Sequence, residues 1–126
     1  MEDPISTSVE RRDGVIVLAV DGEIDMVSAV MLERAITAAL SEDPPALVID
    51  LSQVQYLDST GLQMLVRVRE KIGESARFAI AAQGPIASRL TRLLHLREIL
   101  SLHETLEDAL AAVKTRNPGS DTTATS

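Results

Sequence analysis

The hydrophobic pattern begins with a weak alternation from Ile5 to Glu10 and turns into a continuous apolar run from Val15 to Val20. Arg12-Asp13-Gly14 separates the two, and Asp-Gly is a strong turn signal. The pattern predicts a hairpin of two antiparallel strands, with Asp21-Gly22-Glu23-Ile24-Asp25 as the exit loop. From Ser28 to Leu40 the period becomes helical, and Ala29, Leu32, Ile36, Ala39 and Leu40 share one face. Asp43-Pro44-Pro45 stops that helix. Ala46 to Leu51 is short and apolar throughout, as expected of a central parallel strand buried on both sides. Ser59 to Ile72 is again helical, with Gly61, Leu65, Val68 and Ile72 in line, Leu62 and Val66 beside them, and Gly73 as the stop.

Phe78 to Ala82 is the next expected strand, and Gly84-Pro85 opens a third helix with inner face Ile86, Leu90, Leu93 and Leu94. A last strand is expected at Ile99 to His103. Thr105-Leu106-Glu107-Asp108 resembles a capping box at the head of a final helix whose apolar side is Leu106, Ala109, Leu110 and Val113. The polar segment from Thr115 to Ser126 is expected to be a disordered tail. Strands alternating with helices imply parallel pairings with right-handed crossovers. The reading is an α/β fold: one domain over residues 1–114, with a mixed, mostly parallel sheet of about five strands and about four helices.

Composition narrows the functions open to such a domain. The 126 residues include one Phe, one Tyr and no Trp, so the core is aliphatic and base stacking on aromatic rings is nearly impossible. Nineteen acidic residues against twelve basic give a net charge of -7, which argues against binding nucleic acid or an anionic membrane surface. Arg89, Arg92 and Arg97 are the densest basic group and are spaced like one solvated helix face. The absence of cysteine excludes disulfides, thiolate catalysis and cysteine zinc sites. The N-terminus lacks the charge and hydropathy of a signal peptide, and no apolar run is long enough to span a bilayer. A soluble cytoplasmic protein, monomeric in the simplest case, is the expectation.

Enzyme signatures are missing: there is no phosphate-binding glycine loop ending in Lys-Ser/Thr, no Gly-x-Gly-x-x-Gly and no Gly-x-Ser-x-Gly. His95 and His103 are not spaced as metal ligands and read as structural or surface residues. A triad of Ser59, His103 and an aspartate is a question of geometry that a sequence leaves open. Neither catalytic residues, nor a metal, nor a cofactor is expected. Asp58-Ser59-Thr60-Gly61 stands apart, because three short oxygen-bearing side chains and a glycine crowd onto an expected helix N-terminus. Unpartnered N–H groups there favour negative charge. A plain N-cap by Asp58 or Ser59 accounts for the residues, and so does a hydroxyl that accepts a phosphate.

The segment resembles the phosphorylation motif of the anti-sigma factor antagonists (anti-anti-sigma factors), the bacterial branch of the STAS domain family. In that family an apolar strand leads through Asp-Ser-Ser/Thr-Gly into the second helix. Gly22-Glu23-Ile24-Asp25 is similar to a second family element, and the likeness spans roughly residues 5 to 113. The resemblance implies a partner-switching regulator of transcription in a stress response. The unmodified form would bind an anti-sigma factor that is also a serine/threonine kinase and so release a sigma factor. Phosphorylation of Thr60, with Ser59 as secondary candidate, would end the interaction, and a phosphatase would restore it. Asp25, Asp58, Ser59, Thr60 and Gly61 are the implied partner-binding residues, Asp25 reading equally as a cap or loop residue; Met64, at the edge of the helix stripe, is a candidate partner contact beside its more ordinary reading as core packing. Thr60 stands where serine is more frequent in the family, and Gln63 where a small residue is common. The alternative is a non-switching STAS subunit of a lipid or anion transport assembly.

Overall fold

In the computed structural model, residues 4–92 and 100–114 are described. The expected hairpin is β1 (Ile5–Arg12) and β2 (Val15–Ile24). Its two-residue turn, Asp13 and Gly14, has φ of 54° and 84°, the left-handed pair that matches the twist of antiparallel strands. After α1 (Met26–Leu40) comes β3 (Ala46–Leu57), then α2 (Ser59–Ile72) and β4 (Arg77–Ala81). The described chain closes with α3 (Gly84–Arg92), β5 (Leu102–His103) and α4 (Leu106–Lys114). The sheet order is β1-β2-β3-β4-β5; the first pair is antiparallel and the other three are parallel. This is the mixed, mostly parallel α/β architecture read from the sequence. Leu93, Leu94, His95, Arg97, Ile99 and the tail from 115 onward lie outside the described residues.

Sequential strand order explains the layering. Each right-handed crossover steps one strand in the same direction, which sends α1, α2 and α3 to the same face. There Leu18, Leu47, Ile49, Leu51 and Ile80 pack with Leu32 and Ile36 of α1, Leu65 and Val68 of α2, and Ile86 and Leu90 of α3. Fully burying one such aliphatic side chain is worth about 1.5–3 kcal/mol. α4 covers part of the opposite face, with Ala109, Leu110 and Val113 on Val15, Val17, Ala46, Val48, Ala79 and Ala81. β3 is thereby central and apolar on both sides along its first half.

Three expectations are corrected. Asp21 to Ile24 is not an exit loop, and β3 does not end at Leu51. Both strands run on, pairing Asp21 with Gln53, Glu23 with Tyr56 and Ile24 with Leu57. The ladder satisfies the backbone of these polar stretches, while Val20, Ile24, Val54 and Leu57 keep pointing into the core. The extension is not regular. β3 holds one extra residue between Asp50 and Gln53 and another between Val54 and Tyr56, each a β-bulge against β2. At the first, the Ser52 N–H donates to Asp50 Oδ1 at 3.0 Å. α1 begins at Met26 in place of Ser28, because Asp25 caps it.

Candidate functional site

β2 and β3 end level with each other, and each is followed by an aspartate that starts a helix. Asp25 is the N-cap of α1 and Asp58 the N-cap of α2. The Asp58 N–H donates to the Ile24 carbonyl at 3.1 Å, which ties the two helix starts together. The site is therefore a pair of adjacent helix N-termini at the carboxyl ends of two parallel strands.

At α2 the Asp58 Oδ1 accepts from the Gly61 N–H at 3.0 Å, and the Leu62 N–H closes the first helical bond onto the Asp58 carbonyl at 3.0 Å. Ser59 and Thr60 are thus the first and second helical residues, and helix geometry leaves their N–H groups without intrahelical acceptors. Ser59 is exposed and Thr60 half-buried. Ser59 is not the cap, which corrects one of its two expected roles. Gly61 is buried, and a Cβ on it would come within 2.6 Å of both Ile24 Cγ2 and Leu57 Cδ1. Only a residue without a side chain lets the first turn of α2 rest on the ends of β2 and β3. That is the physical reason for a glycine directly after Thr60.

At α1 the capping is reciprocal. Asp25 Oδ1 accepts from the Val27 and Ser28 N–H groups at 3.0 and 2.9 Å, and Ser28 Oγ accepts from the Asp25 N–H at 2.8 Å. The single Ser28 hydroxyl proton goes to the Glu23 carbonyl at 2.7 Å, closer than Asp25 Oδ1 at 3.1 Å. Hydrogen bonds from Ser28, its backbone N–H foremost, hold the Asp25 carboxyl below the usual carboxylate range. Ser28 is the buried polar side chain of this region. Ser28→Ala strips the Asp25 N–H and the Glu23 carbonyl of a partner, and chemical denaturation should show a loss of about 1–3 kcal/mol.

The remaining marked residues fall out differently. Met64 is 1% exposed and packs in the core, so its assignment as a partner contact is corrected. The inward turn of α2 that seats Gly61 carries Met64 with it. His103 pairs with Ala81, which lies in register with Asp50, seven residues before Leu57 and two strands away from β3. At about 3.3 Å per residue this separates it from Ser59 by roughly 20 Å, and no triad forms between them. His103 Nε2 instead lies 3.3 Å from Ser101 Oγ. A large open cleft, lined among others by Gln83, Gly84, Ser88, Arg92 and Glu104, sits beyond β4 and β5 and contains none of the marked residues.

Sequence reasoning missed a set of apolar neighbours at the site. Met26, Val27 and Val30 are 68, 63 and 50% exposed on the first turns of α1, and Tyr56 at the end of β3 is 51% exposed. The signal was available in α1 itself, whose apolar residues occupy more faces than the one that meets the core.

The fold and the paired caps define a recognised class. A profile of the STAS domain matches residues 6–109, and the chain belongs to the STAS domain family. It is 43% identical over 112 residues to a Mycobacterium tuberculosis protein named anti-sigma-F factor antagonist RsfB, covering 89% of this chain and 92% of that one. It is 32% identical over 108 residues to the anti-sigma-B factor antagonist of Listeria monocytogenes, covering 82% and 87%. A crystal structure of an anti-sigma factor antagonist from Mycobacterium paratuberculosis superposes with a TM-score of 0.81 at 49% identity, covering 87% of this chain and 94% of that one.

Proposed function

We propose that the chain is an anti-sigma factor antagonist that works by partner switching. Its unphosphorylated form binds an anti-sigma factor with serine/threonine kinase activity and releases a sigma factor. Phosphorylation of Thr60 ends that binding, and a protein phosphatase restores it. The observation that carries this reading is the position of the Thr60 hydroxyl: second residue of α2, partly open to solvent, between the Asp58 cap and the buried Gly61. The similarity to proteins named as antagonists supports the partner class.

The sign of the switch follows from magnitudes. A phosphate adds about -1.5 to -2 charges near neutral pH. At a helix N-terminus that charge is favoured by roughly 0.3–1 kcal/mol, so the free domain keeps its fold. Within a closed interface the same group would be desolvated beside Asp58, on a chain already at -7. Like charge brought together in a contact costs several kcal/mol. The larger effect acts on the complex. Incubation with the cognate kinase and ATP is expected to add one phosphate, mapped by mass spectrometry to Thr60. Thr60→Ala should abolish the modification and Ser59→Ala should leave it. A phosphate mapped to any other residue overturns the assignment.

A further inference from the structure

Given the antagonist role proposed above, we infer that the first two turns of α1 form the apolar half of the anti-sigma factor contact, with Met26, Val27 and Val30 as its anchors. Five large apolar side chains are exposed among the described residues, namely Val9, Met26, Val27, Val30 and Tyr56. Four of them gather at one end of the molecule, the end that carries Thr60. Val27 and Val30 are three residues apart and Met26 and Val30 four apart, so they form one strip on the outer side of α1. The strip is joined to the switch through the backbone: Asp25 caps α1, and the Ile24 carbonyl beside it holds the Asp58 N–H. A partner that covers Thr60 meets Met26 and Val27 in the same footprint.

The distribution of the strip selects the occupant. Its large apolar residues stop at Val30, and the outer face continues with exposed Arg34, Thr37 and Ala38. The apolar part lies at the end that carries Thr60, and the chain is similar to named anti-sigma factor antagonists, so the occupant is the anti-sigma factor that covers Thr60. The surroundings are polar, with exposed Glu23, Ser59 and Gln63 and half-buried Asp25. An apolar centre within a polar rim is the anatomy of a specific protein contact. The matching surface is a small uncharged apolar patch on the anti-sigma factor, next to where its nucleotide presents the phosphate to Thr60. Affinity then resides mainly in α1 and the switch in α2.

The test is the double variant Val27→Gln/Val30→Gln in the full chain, with purified Mycobacterium tuberculosis anti-sigma-F factor as probe. Both positions are exposed, so the thermal midpoint should match that of the unsubstituted protein. Calorimetric titration should show affinity reduced at least tenfold, and the KM for Thr60 phosphorylation should rise with kcat preserved. Unchanged affinity and KM in the variant overturn the docking assignment while leaving the antagonist reading in place. Absence of binding by the unsubstituted protein removes both. Loss of a dimer in sedimentation, with binding of the anti-sigma factor unaltered, assigns the strip to a second copy and overturns it as well.

Discussion

Thr60→Glu is expected to weaken binding of the anti-sigma factor at least tenfold while moving the Tm by less than about 4 °C. The two readouts separate because the charge meets different surroundings in the two states. In the free domain the glutamate stands over the open N–H groups of the α2 start, where the helix dipole offsets its proximity to Asp58. In the complex the same carboxylate is cut off from water. A penalty of only 1.4 kcal/mol there is already tenfold in affinity. Titration calorimetry and a thermal scan on the same sample decide the matter. Thr60→Val serves as the companion: it keeps the shape, removes the acceptor hydroxyl and should bind while resisting phosphorylation. A collapse of the Tm in Thr60→Glu would mark Thr60 as a structural residue and remove the basis of the switch.

Gly61→Ala is expected to destabilise the domain by about 1–3 kcal/mol, against the usual preference of helices for alanine. The added methyl has nowhere to go, since Ile24 Cγ2 and Leu57 Cδ1 each lie 2.6 Å from its ideal position. Both neighbours are themselves fully buried at the strand ends, so neither is free to swing away. Relief comes only by lifting the first turn of α2, which loosens the Asp58 bond to the Ile24 carbonyl. Denaturant unfolding measures the loss, and weaker protection of the Asp58 amide from hydrogen exchange would locate it. A stability equal to or above that of the parent protein would mean that the turn is not seated as described.

Much of this arrangement is legible in the residues, and the illegible part has a common cause. Periodicity places α2 at Ser59–Ile72 as observed, because its apolar stripe is strong and its ends carry Asp58 and Gly73. The hairpin is equally plain from Asp13-Gly14. What escaped was the length of β2 and β3. Asp21, Glu23 and Gln53 are polar, and their strand conformation comes from pairing across β2 and β3 and not from any local preference. The early start of α1 was hidden for a related reason: Asp25 reads as loop until Ser28 is seen to return its hydrogen bond. At the site, residue types marked Asp58, Thr60 and Gly61 as a unit, and the structure makes Asp58 the cap and Gly61 the seat of the first turn, but spacing alone did not tell which way Met64 turns. Its burial follows from the seating of Gly61 on Ile24 and Leu57, a long-range contact. The exposed Met26 and Val27 escaped because apolar residues in a helix are ordinarily assigned inward.

The two bulges of β3 bear on how this family of chains tolerates changes in length. Side chains alternate strictly along a regular strand, so gaining or losing one residue turns everything beyond it inside out. β2 is regular where it counts: shortening it by a residue between Val20 and Ile24 would send Ile24 to the solvent and leave Gly61 without its floor. β3 is different, because its surplus residues already break the alternation. Removing Gln55 leaves Val54 and Leu57 two positions apart and both still facing inward, with Tyr56 between them. The strand that leads into Asp58 can therefore shed a residue that its neighbour cannot, and insertions or deletions accepted just ahead of Asp58 should concentrate at the bulges of β3.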